Sequence, residues 1–150
     1  MIDRASEIEA RMIAIRRRIH QNPELSFKEF ETTKLLEKEL KDYGITTMPN
    51  GDQTGVIGLL EGGGPGKVIG VRGDIDALPV REDTSLLFSS KVEGVSHSCG
   101  HDINCTTVLG CAKLLSGLRD HLCGTVKFIF QPAEETLGGA LSMIKNGVME

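Results

Sequence analysis

The chain has 150 residues, enough for one domain with a real core, and its 39% hydrophobic and 25% charged content is that of an ordinary globular protein. A net charge of -4 argues against nucleic acid or an anionic membrane surface as the main partner. No apolar run approaches the roughly 20 residues of a membrane span, and Met1-Ile2-Asp3-Arg4 lacks the apolar segment of a signal peptide.

Residues 6–20 carry Ile8, Met12, Ile13 and Ile15 at a rough helical period, with Arg16-Arg17-Arg18 near the end and Asn22-Pro23 as the stop. A second helix is expected over 26–43, with Phe27, Phe30, Leu35, Leu36 and Leu40 inward and Gly44 closing it. The apolar stretches 55–60 and 67–71 flank Gly62-Gly63-Gly64-Pro65-Gly66, a hairpin or tight loop. Val68-Ile69-Gly70-Val71 is expected as a buried strand that delivers Arg72, Asp74 and Asp76 at its end. Residues 104–117 should form a helix packed through Val108, Leu109, Ala112 and Leu115, 125–130 another buried strand, and 140–145 the start of a further helix. Helices alternating with buried strands define an α/β sheet domain.

In open α/β sheets ligands sit beyond the carboxyl ends of strands, where Asp74-Ile75-Asp76 and Glu134-Glu135 both fall. The D-x-D element alone is as well explained by a turn or helix cap. It suits magnesium and phosphate poorly here, because the chain has no P-loop. Cys99 and His101 can face one point across Gly100, although a C-x-H pair alone more often means a buried cysteine beside a surface histidine. Paired glutamates usually form a solvated face, yet Glu134-Glu135 follows Phe128-Ile129-Phe130-Gln131-Pro132, a buried strand with a proline-marked turn. Adjacent carboxylates at a strand end should diverge, one toward a metal and the other toward a water. A thiolate, an imidazole and carboxylates together suit a borderline-soft ion such as zinc.

Among the other histidines, His20 complements a helix dipole at its carboxyl end, His97 lies behind the Cys99 loop or on the surface, and His121 belongs to a polar loop. Cys105, Cys111 and Cys123 are expected as small core residues. The irregular spacing of the four cysteines fits a reducing cytoplasm better than a disulfide framework.

Four ordered motifs then coincide: Arg17-Arg18-Ile19-His20-Gln21-Asn22-Pro23-Glu24-Leu25-Ser26, Arg72-Gly73-Asp74-Ile75-Asp76-Ala77-Leu78-Pro79-Val80, Gly94-Val95-Ser96-His97-Ser98-Cys99-Gly100-His101-Asp102, and Phe130-Gln131-Pro132-Ala133-Glu134-Glu135. With them the chain resembles the N-acyl-amino-acid amidohydrolases, metal-dependent aminoacylases that include hippurate hydrolases and auxin-conjugate hydrolases. The resemblance implies a zinc-exopeptidase-like catalytic domain with a central mixed sheet flanked by helices. It further implies that residues 1–150 are the amino-terminal portion of that domain. The remainder, with two further histidines and a small dimerisation domain, would lie beyond. It places a dinuclear metal site on Cys99, His101 and Glu135, and the general base on Glu134. Where the family commonly has histidine after Gly-His-Asp-x, this chain has Asn104, expected to be a helix N-cap or a hydrogen-bonding neighbour of the site.

The expected reaction is hydrolysis of the amide of a small N-acyl amino acid, with two divalent ions (zinc, manganese, nickel or cobalt) and Asp76 orienting a site group. A cytoplasmic homo-oligomer with neither nucleic acid nor membrane as partner is the expected setting. Two other readings stand beside it: a thiol hydrolase with Cys99 as nucleophile, and a catalytically inactive fragment or interaction module that retains the fold.

Overall fold

The computed structural model describes residues 2–150; Met1, the first residue of the Met1-Ile2-Asp3-Arg4 start, lies outside them. The elements run α1 (Ile2–Gln21), α2 (Phe30–Asp42), β1 (Thr46–Asn50), β2 (Gln53–Glu61), β3 (Gly64–Asp74), α3 (His101–Ser116), a 3-10 turn (Arg119–His121), β4 (Cys123–Gln131) and α4 (Gly139–Lys145). The four strands form one mixed sheet in the order β1-β2-β4-β3, with β3 parallel to β4 and the other pairs antiparallel. This is the α/β architecture with a central mixed sheet and flanking helices that the sequence implies.

Strand alternation sorts the core into two layers. Val56, Leu60, Phe128 and Phe130 face Ile15 and Ile19 of α1, Leu36 and Leu40 of α2, and Leu109 of α3. Ile57 and its partly buried neighbours Leu59 and Ile129 meet Met143 and Val148, at and just after α4. α1 packs on α3, and a buried Glu39 on α2 is held by the Arg11 guanidinium at 2.6–3.1 Å and the Tyr43 hydroxyl at 2.9 Å.

Several local expectations need correction. β2 and β3 do not form a hairpin, because β4 inserts between them; the hairpin is β1–β2, turning at Gly51-Asp52. β3 pairs only with β4 among the described strands, so it is an edge strand, and Val68 (61%) and Ile69 (60%) are exposed rather than buried. The second helix begins at Phe30 instead of residue 26, because Phe27 takes a left-handed backbone (φ 61°) and Leu25 bridges Ala77. That start turns Phe30 outward, 56% exposed, and brings Glu29 and Thr32 inward. The Glu24 carboxylate then caps α2 by accepting from the N–H groups of Glu31 and Thr32 at 3.0 and 2.8 Å. Cys123 is exposed at the start of β4, not in the core, whereas Cys105 is fully buried.

Candidate metal centre

Because β3 and β4 are parallel, their carboxyl ends lie on one side of the sheet, beside the amino terminus of α3. Close packing sets the spacing there: a Cβ on Gly73 would sit 2.9 Å from Val108 Cγ2 and 3.0 Å from Cys105 Cα. β3 therefore releases Asp74-Ile75-Asp76 directly against α3, while β4 releases the turn that carries Glu134 and Glu135.

α3 starts at His101, earlier than the sequence pattern suggests, and Gly100 enters it in a left-handed conformation (φ 97°) that favours glycine. Across that glycine Cys99 and His101 converge with Glu135: one ligand atom from each lies within 4.8 Å of the others. Nε2 of His101 is 3.9 Å from Oε1 of Glu135 and also 3.9 Å from Oε2 of Glu134. The adjacent carboxylates thus do not diverge. They lie in a turn, not on an extended strand, and approach the same imidazole.

Asp76 organises the centre. Nδ1 of His101 donates to the Asp76 backbone carbonyl at 2.9 Å and lies 3.2 Å from Oδ1 of its side chain, which leaves Nε2 free to face the glutamates. The other carboxylate oxygen accepts from the Ser26 hydroxyl at 2.7 Å and the Glu135 N–H at 3.1 Å. Burial alone would push the Asp76 carboxyl up; the bonds from His101, Ser26 and the neighbouring N–H groups outweigh it and hold it at about 2. Asp76 in turn raises His101 to about 9 against the opposing effect of burial. The Glu135 carboxylate, assisted by burial, pushes the Cys99 thiol up.

These residues fit a divalent cation. Soft, borderline and hard donors converge, and Oε1 of Glu135 is buried without a hydrogen-bond partner among the described residues. A cation would satisfy that oxygen and favour the Cys99 thiolate, which its carboxylate neighbours disfavour.

Asn104 is not an N-cap, since it lies a full turn inside α3; its Oδ1 accepts from the Asp74 N–H at 2.7 Å and ties β3 to the helix. His97 is buried, not on the surface, with both ring nitrogens unpartnered among the described residues, and burial lowers it to about 4. His20 does more than complement a dipole: its Nδ1 lies 2.8 Å from Oδ2 of buried Asp102, the residue after His101, and its Nε2 3.2 Å from Glu82. His121 is exposed, apart from the site. Ser26, Glu29 and Glu82 were not singled out from sequence; the only signal for Ser26 was its place at the end of the first quoted motif.

A family model described as peptidase family M20/M25/M40 matches residues 70–150. The chain belongs to this family. It is 49% identical over 146 residues to thermostable carboxypeptidase 2 of Saccharolobus solfataricus, covering 95% of this chain and 37% of that protein. It is 46% identical to N-acetylcysteine deacetylase of Bacillus subtilis, covering 99% of this chain and 39% of the relative. The crystal structure of Bacillus subtilis YXEP, described as a dinuclear metal-binding peptidase of the M20 family, superposes with a TM-score of 0.93 at 45% identity, covering 97% of this chain and 41% of that one. The chain therefore spans about two fifths of the length of these relatives.

Proposed function

We propose that this chain is the amino-terminal portion of a metal-dependent catalytic domain, and that the full-length protein hydrolyses the amide bond of small N-acyl amino acids. The observation that carries the reading is the convergence of Cys99, His101 and Glu135 beyond the carboxyl ends of β3 and β4. The relative named N-acetylcysteine deacetylase supports the substrate class.

In this reading Cys99 Sγ, His101 Nε2 and a Glu135 oxygen hold a divalent cation: zinc, manganese, nickel or cobalt. A cation bound there supplies Lewis acidity, which lowers the pKa of water toward about 7 and stabilises negative charge on a carbonyl oxygen. Asp76 fixes the His101 ring so that Nε2 faces the cation. Glu134, at the same distance from that nitrogen as Glu135 and more exposed, accepts the proton of the attacking water and returns it to the departing amine nitrogen. Three protein donors suffice for one open catalytic ion. A second ion, as in the YXEP structure, draws on donors beyond these three, so turnover is assigned to the full-length protein, taken as a soluble cytoplasmic homo-oligomer. No described helix is long and apolar enough to cross a membrane.

The thiol-hydrolase reading is weaker. A Cys99 nucleophile needs a stabilised thiolate, and Glu135 pushes its thiol the other way.

The test divides the two glutamates. Glu134→Gln should keep bound metal while turnover of N-acyl amino acids falls by at least about 100-fold, the usual scale of general acid–base catalysis. Glu135→Gln should lose metal. Equal metal loss in both variants, or full turnover in either, would refute the division.

A further inference from the structure

Glu29 is fully buried, and no ion pair to it is found among the described residues. Burial pushes its pKa up, and the hydrogen bonds it accepts pull the other way. Those bonds reach two distant elements: Oε2 accepts from the Thr54 hydroxyl on β2 at 2.5 Å, and Oε1 accepts from the Ala133 N–H at 2.8 Å. A carboxyl group this deep is costly unless it is hydrogen-bonded, so the meaning of Glu29 lies in what it holds.

What it holds is a strained turn. Ala133 is buried and has φ 49°, a left-handed conformation that costs an alanine free energy and persists only where its surroundings enforce it. Its carbonyl accepts from the Gly139 N–H at 3.1 Å, and a Cβ on Gly139 would collide with the Pro132 carbonyl oxygen at 1.5 Å, so the turn closes backbone against backbone. Glu134 and Glu135 come next in the chain. Rotation at Ala133 would swing both carboxylates away from His101.

We infer that Glu29 is a positioning residue: it clamps Ala133 in the left-handed conformation that brings Glu134 and Glu135 together at Nε2 of His101. Ser26, three residues earlier, completes the brace by donating to the same Asp76 oxygen that receives the Glu135 N–H. The segment between α1 and α2 thus braces the glutamate pair through its backbone, at the Ala133 N–H directly and at the Glu135 N–H by way of Asp76. The inference rests on the roles proposed above for that pair.

Two substitutions separate reach from charge. Glu29→Gln keeps the length and an acceptor for the Ala133 N–H, and its amide can donate to the Thr54 oxygen. Glu29→Asp keeps the carboxyl group but is one methylene too short to span Thr54 and Ala133. Amide hydrogen exchange at Ala133 is read in the metal-free protein, cobalt(II) affinity by titration, and kcat and KM on N-acyl amino acids in the full-length protein. With Gln, exchange, affinity and kcat should stay within about threefold of the parent. With Asp, exchange should quicken, affinity weaken and kcat fall by at least about tenfold each, the scale of losing a residue that orients a metal ligand, while KM changes little. Normal Ala133 protection and kcat in the Asp variant would overturn the inference. So would equal losses in both variants, or a lowered Tm with unchanged kcat per folded molecule. Should the Asp variant not fold, Thr54→Val removes one anchor of Glu29, and unchanged exchange at Ala133 would overturn the clamp. If the parent hydrolyses no N-acyl amino acid, the proposed function fails, while exchange and cobalt binding still decide the role of Glu29.

Discussion

Single side chains at this centre are set by their neighbours, and His101 with Asp76 shows the consequence for pH. The folded-state value of His101, about 9, lies above its ordinary 6.5. In metal-free protein the stabilisation from this pair is therefore fully present between pH 3.8 and 6.5 and is lost as the pH rises through 9. Asp76, held at about 2 against an ordinary 3.8, contributes stability present above 3.8 and lost as the pH falls toward 2. Both shifts describe one interaction and count once. A cation must displace the His101 proton, so its apparent affinity should rise by up to about tenfold per pH unit for each proton displaced. Calorimetric titration with zinc between pH 6.5 and 9, in buffers of different ionisation enthalpy, measures both the rise and the proton release. A pH-independent affinity with no proton release would contradict this arrangement. The proposed ligands Cys99, His101 and Glu135 stand out in the sequence because they sit in compact motifs, Cys99-Gly100-His101-Asp102 and Glu134-Glu135, and the resemblance to the amidohydrolases supplies their roles. Glu29 and Ser26 were not, since each acquires meaning only through partners far along the chain.

At the scale of elements, the site depends on how closely β3 approaches α3. Gly73→Ala would press a methyl group into Val108 and the backbone of Cys105, and overpacking of this kind costs about 1–3 kcal/mol. It should also move Asp76 relative to His101, so denaturant midpoint and zinc affinity should fall together; a variant unchanged in both would show that the contact relaxes freely. Strand and helix identities followed from periodicity, but neighbours in the sheet did not. Nothing local in residues 62–66 announces that β4 will separate β2 from β3. β1 carries no strand signal, because Thr46-Thr47-Met48-Pro49-Asn50 lacks clean alternation and contains a proline, which an edge strand tolerates. α2 starts later than its pattern predicts because the helical pattern continues through Ser26 and Phe27, where the Leu25–Ala77 bridge overrides it.

For the whole molecule, three layers bring the products of distant segments to one edge of the sheet: the loop before α2, the end of β3, the start of α3 and the turn after β4. The exposed Val68 and Ile69 on edge strand β3 leave apolar surface outside this assembly of elements, in a chain that spans about two fifths of its relatives' length. The central claim is that Cys99, His101 and Glu135 together hold a metal ion, and cobalt(II) tests it most directly because thiolate coordination produces a charge-transfer band in the near ultraviolet. Titrated with cobalt(II), the full-length protein should develop that band, and Cys99→Ala should bind the ion more weakly and lack it. A band that persists in Cys99→Ala, or a parent protein that binds cobalt(II) without one, would contradict the ligand set.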